Sequence, residues 1–218
     1  FAGMMQYDGD LKIPKNYLVQ PPIITNTVGE QLQSAGLQTL AISETQKFGH
    51  VTYFFNGNRG DQPQAETWDE IPSLNVPVDQ APRMCASPIT ERACAGITSG
   101  QFDHVRINLA NGDMVGHTGA LTATIEAVEH VDACVGDLIE ATRKMDGTLI
   151  ITADHGNADQ MYALNKKTGT YAEDSDGKRN PHTSHSLNPV PIWIFDASGN
   201  QKLTVPSGPH VNGGIAQI

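Results

Sequence analysis

Five short apolar runs, separated by stretches with helical spacing, constrain this chain more than any other feature. The runs lie at 37–42, 51–55, 105–110, 148–153 and 190–195 and are rich in β-branched and aromatic residues, as strands are. Before the first run, 27–35 reads as a helix. Thr27 and Glu30 form its capping box and Gly36 its stop. A second helix is expected to start near Ser87-Pro88 and end near Gly100. The longest helix, at 120–144, repeats Ile125, Val128, Val135, Leu138 and Ile139 at three- and four-residue intervals, with Glu126, Glu129 and Asp137 on other faces. Strands alternating with helices predict an α/β fold, a mostly parallel sheet with helices on both faces. Two polar stretches interrupt the pattern. The proline-bearing 56–86 reads as a surface excursion and 162–180 as a mobile loop. Pro191 marks the last run as an edge strand or a strand start.

The chain's 218 residues suffice for one domain with its own core, or for a large piece of something bigger. Twenty-four acidic against 14 basic residues give a formal net charge of -10, which disfavours nucleic acid and anionic lipid as partners. No apolar run approaches the roughly 20 residues that cross a bilayer, so no membrane association is expected. The N-terminal Phe1-Ala2-Gly3-Met4-Met5 has neither a basic region nor an apolar one, so no signal peptide is expected. Cys85, Cys94 and Cys134 are widely spaced, with no C-x-x-C. They read as small core thiols in a reducing, cytoplasmic setting.

In open α/β sheets, ligands gather beyond the carboxyl ends of the strands. Three clusters of Asp and His flank the expected strands. Asp113 and His117 follow the third run, four residues apart. On a helix that spacing puts both on one face. Asp154 and His155 follow the fourth run. Adjacent residues of a flat strand point oppositely, so a curl at Gly156 is expected to turn both toward one ion. His182 and His185, three apart, precede the fifth run, and one or both could be ligands. Taken singly, each cluster has a plainer reading as a surface carboxylate and a packed imidazole. Three in one α/β frame exceed what packing supplies. Oxygen and nitrogen donors without thiolate suit Mn²⁺ or Zn²⁺ rather than an iron–sulfur cluster or Cu(I).

Five stretches then carry a resemblance: F-A-G-M-M-Q-Y-D (1–8), S-E-T-Q-K-F-G-H-V-T-Y-F-F-N-G-N-R (43–59), N-G-D-M-V-G-H-T-G (111–119), I-T-A-D-H-G-N-A-D-Q-M (151–161) and P-H-T-S-H-S-L-N-P-V-P (181–191). Together, and in this order, they resemble the 2,3-bisphosphoglycerate-independent phosphoglycerate mutases of the alkaline phosphatase superfamily. The resemblance implies an isomerase of glycolysis and gluconeogenesis that interconverts 3-phosphoglycerate and 2-phosphoglycerate through a phosphoserine at a two-metal site. It implies Mn²⁺, with Mg²⁺ or Co²⁺ as alternatives. Carried over residue by residue, it assigns Asp113, His117 and His185 to the first metal site, with His185 preferred over His182. Asp154 and His155 go to the second. Lys47 falls beside the transferred phosphoryl group, where an ammonium would neutralise phosphate charge; its plainer reading is a solvated lysine.

The likeness also defines what this sequence lacks. The resemblance implies a full enzyme of about twice this length or more, beyond one domain's usual size. None of the ten serines stands in the glycine-rich context of the family's nucleophile. The substrate domain with its arginine cluster has no counterpart either. Residues 1–218 are therefore expected to be the C-terminal part of an alkaline-phosphatase-like metal domain, incomplete and inactive alone, whose partners are the N-terminal segment and substrate domain of the same enzyme. A metal-dependent phosphatase or phosphodiesterase of the same superfamily is the alternative, or a metal-binding fragment without catalysis.

Overall fold

The computed structural model describes residues 2–6, 13–19, 24–165 and 167–199. Phe1, Tyr7 and Asp8 of the first matching stretch lie outside them.

Helix α1 (Val28–Ser34) opens on the expected reciprocal cap: Thr27 Oγ1 accepts from the Glu30 amide at 3.2 Å, and the Glu30 carboxylate accepts from the Thr27 amide at 2.9 Å. Gly36 follows in the left-handed region, at φ 75°. Strand β1 (Thr39–Glu44) is buried along its whole length. It runs parallel to β2 (Glu66–Ile71) on one side and β3 (His104–Ile107) on the other. A single 3₁₀ turn, Thr45–Lys47, and the four-residue helix α2 (Phe48–Val51) connect β1 to the segment before β2.

Two expectations fail here. The run at 51–55 is not a strand, although its residues favour one. β2 already occupies that edge of β1, pairing Thr39 with Glu66 through Glu44 with Ile71. The aromatic side chains of the run pack instead: Tyr53 meets Phe54 edge to face at 5.1 Å, and the Arg106 guanidinium lies 4.0 Å over the Phe55 ring. Conversely, the 56–86 excursion contains β2. Its acidic residues disguise it, and Glu66 is tolerated inside because Arg106, Asn56 and Trp68 all reach its carboxylate.

Helix α3 (Ala86–Ser99) begins one residue before the expected cap, with Cys85 at the cap position, and stops at Gly100 in the left-handed conformation. Helix α5 (Leu121–Lys144) packs along α3. Ile42, Ile71, Cys85, Ile89, Ala93 and Leu138 make the core between this helical layer and the sheet. Cys85 and Cys134 are buried free thiols, as expected, while Cys94 is half-buried.

Strands β4 (Thr148–Thr152) and β5 (Ile192–Asp196) exist as expected but do not join the parallel sheet among the described residues. They pair with each other, antiparallel. The α/β class stands, with a three-stranded parallel sheet in the order β2-β1-β3 and a separate two-stranded ribbon. The antiparallel pairing matters for function. It sets Ile192 opposite Thr152, so the residues before β5 reach the same rim as those after β4. The polar 162–180 stretch is folded back on itself by bridges pairing Tyr162 with Pro181, Leu164 with Tyr171 and Glu173 with Arg179.

A candidate metal centre at the strand ends

Helix α4 (Asn111–Gly116) follows β3. Its inner face is fixed by fully buried Asn111, which donates to the Pro82 carbonyl at 2.8 Å, and by fully buried Val115. Asp113 and His117, one turn apart, project from the other side. Asp113 Oδ1 stands 3.0 Å from His117 Nε2 and 3.1 Å from His185 Nε2, and the two imidazole nitrogens are 3.0 Å apart. Among the described residues this is the one set of three such donors gathered within 4.8 Å.

The triangle fits a cation. Bonds of about 2.1 Å from one ion to mutually cis ligands separate those ligands by about 3.0 Å. The tautomers agree for His117. Its Nδ1 lies 2.7 Å from the Thr183 carbonyl, which only accepts, so Nδ1 carries the proton. In the neutral ring, Nε2 then offers a lone pair to the centre of the triangle.

Asp113 is prepared as an anion. Lys47, from the turn after β1, places Nζ 2.5 Å from Oδ2. Asn157, from the loop after β4, donates from Nδ2 to Oδ1 at 2.9 Å and to the Asp113 carbonyl at 3.2 Å. Burial alone raises this carboxyl, but the hydrogen bonds from Lys47 and Asn157 and the Lys47 charge outweigh it and hold the group at about 2.

Asp154 and His155 lie alongside. The His155 ring stacks on His185 with centroids 3.5 Å apart and planes 18° apart. His155 Nε2 is 3.5 Å from Asp154 Oδ1, and the Asp154 side chain is 62% exposed. The two side chains thus lie beside the triangle, Asp154 open to solvent and His155 largely covered. His182 does not join either group; its Nδ1 faces the Gln160 carbonyl at 3.2 Å.

Gly156 matters for a different reason from the one expected. It is not among the positive-φ glycines. A Cβ there would collide with Ser186 Oγ and come within 2.6 Å of Asp159 Oδ1. Close approach is the requirement, because Ser186 donates its amide to the Gly156 carbonyl at 2.9 Å and its hydroxyl to Asp159. That seam carries His155 and His185 together. The sequence reading also passed over Asn157 and His50. Asn157 stands two residues after His155, in the same turn, so the D-H-G-N string held the signal. His50 lies close enough to Lys47, Asp154, Asp113 and His155 to feel their charges, although burial is the main cause lowering its pKa.

This geometry agrees with what the chain is similar to. A family profile described as Metalloenzyme superfamily matches residues 7–218. The chain belongs to the Metalloenzyme superfamily. A probable 2,3-bisphosphoglycerate-independent phosphoglycerate mutase of Leptospira interrogans is 48% identical over 225 residues, covering 100% of this chain and 41% of that protein. The 2,3-bisphosphoglycerate-independent phosphoglycerate mutase of Trypanosoma brucei brucei is 52% identical over 199 residues, covering 90% of this chain and 36% of that protein. A crystal structure of Leishmania mexicana phosphoglycerate mutase, from a study at low cobalt concentration, superimposes with a TM-score of 0.87 at 51% identity, covering 90% of this chain and 36% of that one. The chain therefore spans well under half the length of these relatives. No helix among its described residues is long and apolar enough to cross a membrane.

Proposed function

We propose that residues 1–218 form the metal-binding part of a phosphoglycerate mutase that interconverts 3-phosphoglycerate and 2-phosphoglycerate. The observation that carries this reading is the Asp113–His117–His185 triangle, in a chain about half identical to proteins named as that mutase. On this reading the remaining chain supplies the serine nucleophile and the domain that retains the glycerate.

Asp113, His117 and His185 would hold one divalent ion. Asp154 and His155 would give two ligands to a second, the rest coming from outside this segment. Such ions neutralise phosphoryl oxygens and lower the cost of charge at the attacking and leaving oxygens. Manganese is the ion proposed, with magnesium or cobalt as alternatives.

The chain's own residues do the positioning. On this reading the serine oxygen, supplied by the remaining chain, attacks phosphorus as the bond to the glycerate oxygen breaks, and the proton lost by the serine hydroxyl is matched by one gained at the departing glycerate oxygen. The phosphoserine then returns the group to the neighbouring hydroxyl, leaving the serine restored. Lys47 has three N–H donors, so one can stay on Asp113 while another meets a phosphoryl oxygen. Little covalent chemistry is asked of the protein beyond placement and charge compensation.

Coupling to enolase tests the proposal. The whole protein with Mn²⁺ should convert 3-phosphoglycerate to 2-phosphoglycerate, and residues 1–218 alone should not. Release of inorganic phosphate without 2-phosphoglycerate would replace the mutase reading with a phosphatase one.

A further inference from the structure

Behind the ligand triangle, one carboxylate joins the loop after β4 to the segment before β5, and the proposed reaction does not use it. Asp159 stands four residues after His155, and Ser186 directly follows His185. The Ser186 hydroxyl donates to this carboxylate, 2.9 Å from Oδ2 and 3.1 Å from Oδ1. The Asn188 side chain donates to Oδ2 at 2.5 Å, and the Asn188 amide reaches Ser186 Oγ at 3.4 Å. Burial alone raises the Asp159 carboxyl, but the hydrogen bonds from Asn188 and Ser186 outweigh it and hold the group below the ordinary carboxylate range. The ionised group is then a pure acceptor, matched to two donors from the other segment.

We propose that Asp159 is a positioning residue for the metal centre. By fixing the segment before β5 against the loop after β4, it sets His185 relative to Asp113, His117 and His155, a role that rests on the metal-binding reading of those side chains. Three considerations support it. First, the tie is one residue from a ligand, so a shift of the Ser186 backbone is passed directly to the His185 imidazole, while metal–ligand distances tolerate only about 0.2 Å. Second, the two sides of His185 are held differently. Before it, the His182 amide bonds the Met161 carbonyl at 2.9 Å, and the Thr183 carbonyl meets His117. After it, the hydrogen bonds of Ser186 and Asn188 run to Gly156, to Asp159 and to each other. Third, Ser186 is only 7% exposed, so its hydroxyl is shielded from water and has little to replace Asp159 with.

Mn²⁺ binding to the whole protein tests this, read from the spin-resonance signal of the free ion. Asp159→Ala should weaken binding about 10–100-fold, while the melting temperature of the metal-free protein changes little. Asp159→Asn keeps one acceptor oxygen and should fall between the parent and Asp159→Ala. Adding Ser186→Ala to Asp159→Ala should cost almost nothing further, because the two side chains act through one hydrogen bond. Ser186→Ala and Asp159→Asn carry the same test if Asp159→Ala fails to fold. A parent protein that binds no Mn²⁺ overturns the metal reading and the role of Asp159 with it. Parental affinity in Asp159→Ala overturns the role of Asp159 alone. So do additive losses in the double variant, or weakened binding matched by an equal loss of metal-free stability.

Discussion

Lys47 and Asp113 meet across the strand ends, Nζ to Oδ2 at 2.5 Å, with only 12% and 16% of the two side chains exposed. The pairing divides the carboxylate's work. Oδ2 is engaged by the ammonium, and Oδ1 is left turned toward the two imidazoles. Asn157 completes the arrangement by donating to that same Oδ1.

Asn157 should therefore govern metal affinity without binding metal itself. Residues that orient ligands typically contribute about 10–100-fold in affinity. We expect Asn157→Ala to weaken Mn²⁺ binding by that factor, read by calorimetric titration. Melting of the metal-free chain should shift much less than the affinity does. An unchanged affinity would mean that Lys47 alone fixes the carboxylate.

Gly119 should resist any side chain. It adopts φ 73°, and a Cβ would lie 2.8 Å from Pro181 Cβ and 3.1 Å from Thr183 Cγ2. Gly119→Ala combines a left-handed residue, costing about 1–2 kcal/mol, with a push on the 181–185 segment. Both stability and metal affinity should drop. Parallel denaturation and Mn²⁺ titration of the variant would check this, and a loss of stability alone would detach the segment from the site.

Acid should act through Glu66. Burial raises this carboxyl, but hydrogen bonds from Arg106, Trp68 and Asn56 outweigh it, so it titrates below its ordinary 4.5 in the folded chain. As pH falls, the unfolded chain takes up the proton first. The stabilisation is thus complete above the ordinary value and is lost as pH drops through the folded one. Urea unfolding between about pH 5 and 3 should show it, and the slope should shrink in Glu66→Gln. Arg106→Ala strands a buried carboxylate and should cost about 3–5 kcal/mol at neutral pH.

Much of this was legible in the letters. The capping box at Thr27, the stop at Gly100 and the long α5 helix follow local rules that tertiary context left alone. The 51–55 run and β2 were misread for one shared reason. Strand propensity describes a half-buried surface, but the available edge of β1 went to the segment whose acid finds a buried arginine. The ribbon of β4 and β5 was likewise invisible, since an apolar run does not state its partner or its direction. At the candidate site the ligand types and spacings were readable. The hydrogen bonds that aim them, from Asn157 to Asp113 and from His117 to Thr183, depend on loops from distant parts of the chain.

The His117–Thr183 contact has a mechanical consequence. One imidazole on α4 is steered by the backbone of the very segment that delivers His185. Loading an ion would stitch the loop before β5 onto α4, and any force that peels the loop away would unload it. Cation occupancy and protection of that loop from proteases should rise and fall as a single event.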